Sequence, residues 1–260
     1  MNLIHPTAII NKNIRLGKNV KIGAYCVLES EDLEISDNTE LKAHIYISCP
    51  TKIGKNNTIY PFTSISEPQD KKYAGEKTYV VIGDNNIIRE NVTINNGTNY
   101  KDMTTKIGNN NLIMSMSHIA HDCKIGNDIV ISNGSQLAGH VEIHDNVIIG
   151  GMSGILQFSI IGGHSMIGGM SSVRGHIPPF SVFKGDKIAG VNIIGLRRKG
   201  FSNEEIFAII DIFKNLADKE STLETKLKLI EKSNDKHISK IYRFLNELPA
   251  NKNLKLADFW

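Results

Sequence analysis

The chain has 260 residues, 40% of them hydrophobic, with 30 basic against 27 acidic side chains and a formal net charge of +3. That length holds one large domain, or one domain and a small appendage, and so slight a basic excess gives no support to nucleic acid as a partner. No stretch reaches the roughly 18 apolar residues that span a bilayer, MNLIHPTAII has no leader pattern, and Cys26, Cys49 and Cys123 suit a reducing cytoplasm, with no disulfide framework or metal spacing.

From residue 4 onward a six-residue step sets in. Aliphatic residues stand at Ile4, Ile10, Leu16, Ile22 and Leu28, then at Ile35, Leu41, Ile47, Ile53, Ile59 and Ile65, then at Ile82, Ile88 and Ile94. From Ile107 the step runs through Ile113, Ile119, Ile125, Ile131, Leu137, Ile143, Ile149, Ile155, Ile161 and Ile167 to Val173 without a miss. An α-helix has no such period and a plain strand alternates every two residues. The repeat predicts a mainly β chain, with a left-handed parallel β-helix of hexapeptide repeats over residues 1–180.

The repeat is interrupted three times. One extra residue falls between Leu28 and Ile35, and longer interruptions at 66–81 and 95–106 are expected to be loops projecting from one face. The prolines of His176-Ile-Pro-Pro179 are expected to end the ladder, followed by a short irregular stretch. Ser202-Asn-Glu-Glu205 then reads as a capping box, with Ile206, Ile209, Ile210, Phe213 and Leu216 on one helix face. Ser221-Thr-Leu-Glu224 reads as a second cap, followed by Leu223, Leu227 and Ile230. A third helix is expected over 236–248, using Ile238, Ile241, Tyr242 and Leu245. Residues 196–260 are therefore expected to form a small C-terminal α-helical domain.

With three hexapeptides per coil, residues 18 apart stack. Each aliphatic step and the residue two before it point inward, which makes Cys26 and Cys123 small core residues. Outside the rod, Leu112, Val130, Ile148 and Met166 form one apolar column. Met116, Met152 and Met170 form another, with Gly134 in its gap. Two such stripes need cover, first of all from further copies of the chain. The pairs Gly150-Gly151, Gly162-Gly163 and Gly168-Gly169 are expected to leave room for a ligand against backbone. On the third face Asp122, His140 and Phe158 stack, and at the adjoining corner His121, Gly139 and Gln157, with His118 pointing outward nearby. The result is three histidines and a carboxylate within two coils. A metal site would need three imidazoles converging on one ion, and no histidine lies between His44 and His118 to supply an upstream ligand. A nucleophilic triad lacks an activated Ser or Cys. A general base, His121 beside Asp122, is the favoured chemistry.

HIAHDCKIGN, LAGHVEI, NVIIGGM, QDKKYAGE and GVNIIGLRRKGF resemble motifs of the bacterial UDP-N-acetylglucosamine O-acyltransferases, over nearly the whole chain. The resemblance implies a cytoplasmic homotrimer with active sites between neighbouring subunits. It passes a 3-hydroxyacyl group from acyl carrier protein to the 3-hydroxyl of the UDP-sugar, opening lipid A synthesis. It assigns His121 as base, Asp122 as its orienting partner and the Gly139 N–H as oxyanion donor. His118, His140, Gln157, Asp70 and Lys72 match substrate positions, and Asn192 and Arg198 match positions near the nucleotide and phosphates. Gly169 marks the end of an acyl groove, with Met152 and Met170 close by, which favours long chains. No metal or cofactor is implied, the phosphopantetheine arriving on the carrier protein.

The chain departs from the family pattern in four places. Leu156 and Asn95 stand where histidines are usual, Ile194 stands for a glutamate, and the segment from Gly185 to Gly190 is about two residues short. Acylation of a 3-amino or other sugar nucleotide is the alternative activity, and a non-catalytic β-helix scaffold is the alternative of a different class.

Overall fold

Two-residue strands such as Leu112–Ile113, His118–Ile119 and Lys124–Ile125 follow one another at six-residue intervals and turn a corner after each. The next coil lies parallel on the last: Leu112 pairs with Val130, His118 with Gln136 and Lys124 with Glu142. Repeated along the chain, this gives three sheets of 11, 9 and 8 strands, the faces of a left-handed parallel β-helix. The computed structural model describes residues 1–218, 220, 222–231, 233–248 and 255–259. The first face begins with Leu3–Ile4, the second with Ile9–Ile10 and the third with Arg15–Leu16.

The core follows from the step. Ile119 with Ser117, Ile125 with Cys123, and Ile143 with Val141 are all buried, as expected of a step residue and the one two before it. Full burial of each such isoleucine stabilises the rod by about 1.5–3 kcal/mol. All three cysteines are buried, and burial pushes the Cys123 thiol up to about 12.

A corner is closed by one residue with positive φ. Where the third face meets the first, these are Asn19, Asn38, Asn56, Asn85, Asn110, Asp128, Asn146 and His164. Most are Asn or Asp, the types that tolerate left-handed backbone best. The Asn19 amide donates to Asn38 at 3.2 Å, Asn38 to Asn56 at 3.2 Å and Asn56 to Asn85 at 3.1 Å. Where the first face meets the second stand Tyr25, His44, Phe62, Met116, Met152 and Met170, all with positive φ. The methionine column is thus on a corner.

All three interruptions fall at the corner between the second and third faces. Residues 29–32, 67–78 and 96–103 each leave a strand of the second face and enter one of the third. The ladder itself does not slip, since Ile65 pairs with Ile94 and Ile94 with Ile119 across both insertions.

Two expectations at the end of the repeat need correction. The ladder continues past Pro178 and Pro179, because Ser181–Lys184 pairs with Met166–Ile167 on the first face. The prolines occupy a corner, where no ladder donor is required. The stretch expected to be irregular forms an antiparallel hairpin, Ser181–Lys184 with Lys187–Val191. The glycine pairs also serve packing: a Cβ on Gly150 would lie 2.4 Å from the Gly169 nitrogen, and one on Gly162 2.3 Å from that of Pro179.

Four helices follow: α1 (Ile193–Arg198), α2 (Asn203–Ala217), α3 (Leu223–Ile230) and α4 (Lys236–Asn246). Both halves of the Ser202–Glu205 capping box are present, and α2 buries Ile206, Ile209, Phe213 and Leu216. Thr222 caps α3 by accepting from the Thr225 amide. Ser221 and the side chain of Leu223 lie outside the described residues. In α4, His237, Ile241, Phe244 and Leu245 are buried. No described helix is long and apolar enough to cross a membrane.

His164 joins the rod to the helices, with its ring 5.6 Å from Phe180 and 5.4 Å from Phe201. Burial first, then the charges of Lys240 and Lys199, lowers its pKa from 6.5 to about 4. The unfolded chain therefore binds the extra proton between those two values. The contribution to stability is complete above 6.5 and is lost as pH falls toward 4. Burial shifts His118, His140 and His176 the same way. The melting temperature is expected to drop across this window, and His164→Phe to make the drop shallower. Melting curves at half-unit pH steps check this, and an unchanged slope in the variant would assign the acid sensitivity to other groups.

Candidate active site

With each corner numbered by the face that precedes it, the second corner, between the second and third faces, carries the histidine cluster. His118 is the outward residue of its strand, half-buried, with Nδ1 2.7 Å from the Thr93 hydroxyl. The next turn holds His121 and Asp122, and the turns one and two coils on hold Gly139 with His140 and Gln157 with Phe158. Asp122, His140 and Phe158 take φ of 60°, 60° and 66°. They therefore share one corner with His121, Gly139 and Gln157, where the repeat arithmetic put them on an adjoining face. Strands of two residues are shorter than that arithmetic assumed, so the turns take in both columns.

His121 Nδ1 lies 2.9 Å from Asp122 Oδ2. A carboxylate can only accept here, so Nδ1 carries the proton, and in the neutral imidazole the lone pair is on Nε2. Nε2 has no hydrogen-bond partner among the described residues. The imidazole rests on the next coil, where a Cβ on Gly139 would come within 2.5 Å of His121 Cε1 and 2.6 Å of Nε2. Only a glycine leaves space for the ring.

Burial alone would raise Asp122, yet its pKa is lowered overall, by hydrogen bonds from His121 and then from the Thr98 hydroxyl and amide. The carboxylate is thus ionised although 7% exposed. His140 stacks on Phe158 at 4.4 Å and 7°, with Tyr100 edge-on at 4.6 Å. Its Nδ1 is 3.8 Å from Asp122. Burial lowers the pKa of His140 against the pull of Asp122, and burial followed by the nearby His121 lowers that of His118. Both rings are thereby biased toward the neutral form.

His121, Asp122 and His140 also bring ligand atoms within 4.8 Å of one another, the spacing of a cation site. The nitrogen of His121 that faces the carboxylate is already bonded to it, so that donor set is engaged internally.

The other expected site residues divide among the corners. Asp70 and Lys72 lie on the first insertion, above the same corner. Asp70 accepts from the Lys72 amide at 2.9 Å, and its charge reaches His140. Gln157 is exposed one coil beyond Gly139. Met152, Gly169 and Met170 are on the first corner, with Met152 and Met170 70% and 83% exposed. Met152 sulfur lies where a Cβ on Gly134 would be, 2.6 Å away. A Cβ on Gly169 would meet the Gly151 carbonyl oxygen at 3.3 Å. Asn192 caps α1, accepting from the Gly195 amide at 3.1 Å and donating to the His164 carbonyl at 2.8 Å. That anchors it at the third corner, and Arg198 is exposed at the end of the same helix. Within one chain neither is brought to His121. Between the first and second corners, the second face carries an open groove of about 600 Å³ lined by His118, Gln136, Gly154, Leu156 and Arg174.

Sequence reasoning missed three residues. Thr98 donates to Asp122 through both hydroxyl and amide, Thr105 accepts from the Asp122 amide at 2.8 Å, and Tyr100 packs on His140. Counting reached only the root of the second insertion, the strand Thr93–Asn95 whose Ile94 stacks under Ile119, because the residues of the insertion itself carry no repeat.

Residues 104–139 of these parallel coils, which include the buried His–Asp pair, match the bacterial transferase hexapeptide family, the class to which the fold and site point. Residues 177–252 match domain 2 of UDP-N-acetylglucosamine O-acyltransferase. An acyl-[acyl-carrier-protein]–UDP-N-acetylglucosamine O-acyltransferase of Rickettsia canadensis is 52% identical over 249 residues, 94% of each chain. The UDP-N-acetylglucosamine acyltransferase structure from Bacteroides fragilis superposes with a TM-score of 0.90 at 38% identity, covering 94% of this chain and 97% of that one. A structure from Acinetobacter baumannii gives 0.93 at 36%, covering 97% and 99%. The chain belongs to the UDP-N-acetylglucosamine O-acyltransferase family, and is an enzyme.

Gly139→Ala tests the seat of the imidazole. Gly139 has no positive φ, so alanine fits the backbone, and the clash falls on the movable ring. Activity is expected to fall at least about 100-fold, on the scale of removing a general base, with the melting temperature within a few degrees of wild type. Paired kinetics and melting curves check this, and an active variant would mean that His121 works from another position.

Proposed function

We propose that this chain transfers a 3-hydroxyacyl group from acyl carrier protein to the 3-hydroxyl of UDP-N-acetylglucosamine, as the first step of lipid A biosynthesis in the cytoplasm, with His121 as general base. The observation that carries the reading is the seating of a carboxylate-tethered imidazole on Gly139. A sugar hydroxyl is a weak nucleophile until a base removes its proton as it attacks. His121 Nε2 takes that proton while the oxygen bonds to the thioester carbonyl carbon, and Asp122 holds Nδ1–H and stabilises the imidazolium. The tetrahedral oxyanion forms beside the Gly139 N–H, which has no acceptor among the described residues. On collapse the C–S bond breaks, and the imidazolium returns its proton to the departing thiolate of phosphopantetheine. A thioester is already activated, so the reading needs no metal or bound cofactor. Neutral His118 and His140 offer hydrogen bonds to the sugar without adding charge.

The same reading makes the protein a homotrimer with sites between neighbouring subunits. Two observations support it. The candidate residues occupy three different corners of one rod, so His121, the Met152–Gly169–Met170 corner and Asn192 with Arg198 converge only if chains pack together. The first face also carries a continuous outward column of Ile87, Leu112, Val130, Ile148, Met166 and Val182, with Ile87 and Ile148 43% and 38% exposed. The Arg197-Arg198-Lys199 run at the end of α1 suits the diphosphate of a sugar nucleotide and an acidic carrier protein.

His121→Ala is expected to lower kcat with UDP-N-acetylglucosamine and a 3-hydroxyacyl carrier protein by about 10²–10⁴-fold without changing the assembly. Retention of more than about a tenth of kcat would assign the base elsewhere. Ile148→Glu is expected to break the assembly, because each subunit would bury an unpaired charge. Sedimentation velocity reads this directly, and wild type sedimenting as a stable monomer at micromolar concentration would refute the trimer.

A further inference from the structure

The second insertion is tied down at its roots and aims one residue at the catalytic pair. Gly97 N–H donates to the Tyr79 carbonyl at 3.2 Å, and Tyr79 N–H to the Met103 carbonyl at 3.0 Å. Gly97 lies so close to the returning chain that a Cβ there would be 2.3 Å from the Met103 carbonyl carbon. Inside the hoop, the Met103 amide donates to Tyr100 at 2.8 Å, and Asp102 pairs with Lys106. Thr98 is therefore carried on a fixed hoop. Its hydroxyl donates to Asp122 Oδ2 at 2.6 Å, and its amide lies 3.1 and 3.2 Å from the two carboxylate oxygens.

We infer that Thr98 is a positioning residue of the acyl transfer: it fixes the Asp122 carboxylate so that Oδ2 faces His121 Nδ1 and Nε2 is presented to the acceptor hydroxyl. This rests on the proposed role of His121 as base. Asp122 has few other means of holding its orientation. Its amide is used by Thr105, its partner His121 depends on it, and His140 Nδ1 at 3.8 Å is beyond hydrogen-bond length. A buried carboxylate held by a single hydrogen bond rotates about its last torsion, and its partner imidazole swings with it. The two donors of Thr98 remove that freedom. They also favour the ionised form, opposing a burial that by itself raises the Asp122 pKa. The other titratable groups around the pair are His118, the buried Cys123 thiol, His140 with Tyr100 packed on it and, beyond them, Asp70 and Lys101 of the two insertions.

Thr98→Val keeps the shape and the backbone donor and removes only the hydroxyl. Thr98→Ser restores the hydroxyl. In the full-length enzyme with both substrates, the valine variant is expected to lose about 10–100-fold in kcat, the scale of one hydrogen bond to a buried charge. Both KM values should stay within about threefold, and the acid limb of kcat/KM should move to higher pH as Asp122 takes up a proton more readily. The serine variant is expected to recover kcat to within about threefold of wild type. Should the valine variant fail to fold, Thr98→Ala is read in the same way. A valine variant with wild-type kcat and an unmoved acid limb overturns the inference. So does a loss confined to KM, or a serine variant as slow as the valine. His121→Ala, run alongside, separates the two ideas. If it is inactive while Thr98→Val is normal, only the role of Thr98 falls, whereas an active His121→Ala removes the base on which the inference rests.

Discussion

Each coil must stack on the next in register, and the remaining architecture answers to that constraint. Inward Ile, Leu and Val form continuous columns only if every coil rises by one strand spacing, about 4.8 Å, with its three strands in line. A residue inserted within a strand would turn each later side chain to the opposite face. Extra chain is therefore admissible only at corners. Here it is confined to the corner between the second and third faces, at 29–32, 67–78 and 96–103. The same rule that protects the core thus gathers both long loops above His121 and His140.

The corners differ in what they do with their backbone donors. At the third corner the turn amides of Lys18, Lys55, Asp84, Asn109 and Asn127 each donate to an Asp or Asn of the following coil, at 2.6–2.8 Å. Those side chains close the turn and leave nothing for a ligand. Gly139 is the corresponding residue at the second corner, and its amide has no acceptor among the described residues. Gln157, one coil on, is exposed and does not take it. Those five turns spend their donor internally, whereas the turn at Gly139 keeps its donor in reserve beside a histidine held by a buried carboxylate. Low exposure strengthens every electrostatic contact in that pair, and it makes loss of a partner costly.

The departures from the family pattern have different structural weight. Asn95 is 2% exposed and its amide donates to the Glu67 carbonyl at 2.8 Å, so it ties down the root of the first insertion. Leu156 is 47% exposed and lines the groove on the second face next to Gln157, where a polar group would meet whatever occupies that groove. Ile194 is 67% exposed on α1, on the helix that also carries Arg198. The last two alter accessible surface, and neither touches the His121–Asp122 bond.

Much of the fold was legible in the sequence, because a six-residue aliphatic step has only one way to bury itself. The coil register, the inward cysteines, the capping box at Ser202 and the vertical neighbours of His121 all follow from counting. Counting put His121 over Gly139 but could not say that the ring occupies the space a Gly139 Cβ would need, which depends on side-chain rotation and on the bond to Asp122. It misjudged the end of the ladder, because a proline at a corner costs no hydrogen bond. Thr98 and Tyr100 escaped it because an insertion has no period, and where it folds back is set by long-range hydrogen bonds at its roots. The motif marks Asn192 as a binding residue, and the tertiary structure adds that its side chain caps α1 and donates to the His164 carbonyl. Periodicity fixed which residues stack, since backbone pairing is local and repetitive. The three-dimensional packing alone decided which donors are used up and which stay free, because that depends on contacts between segments far apart in the chain.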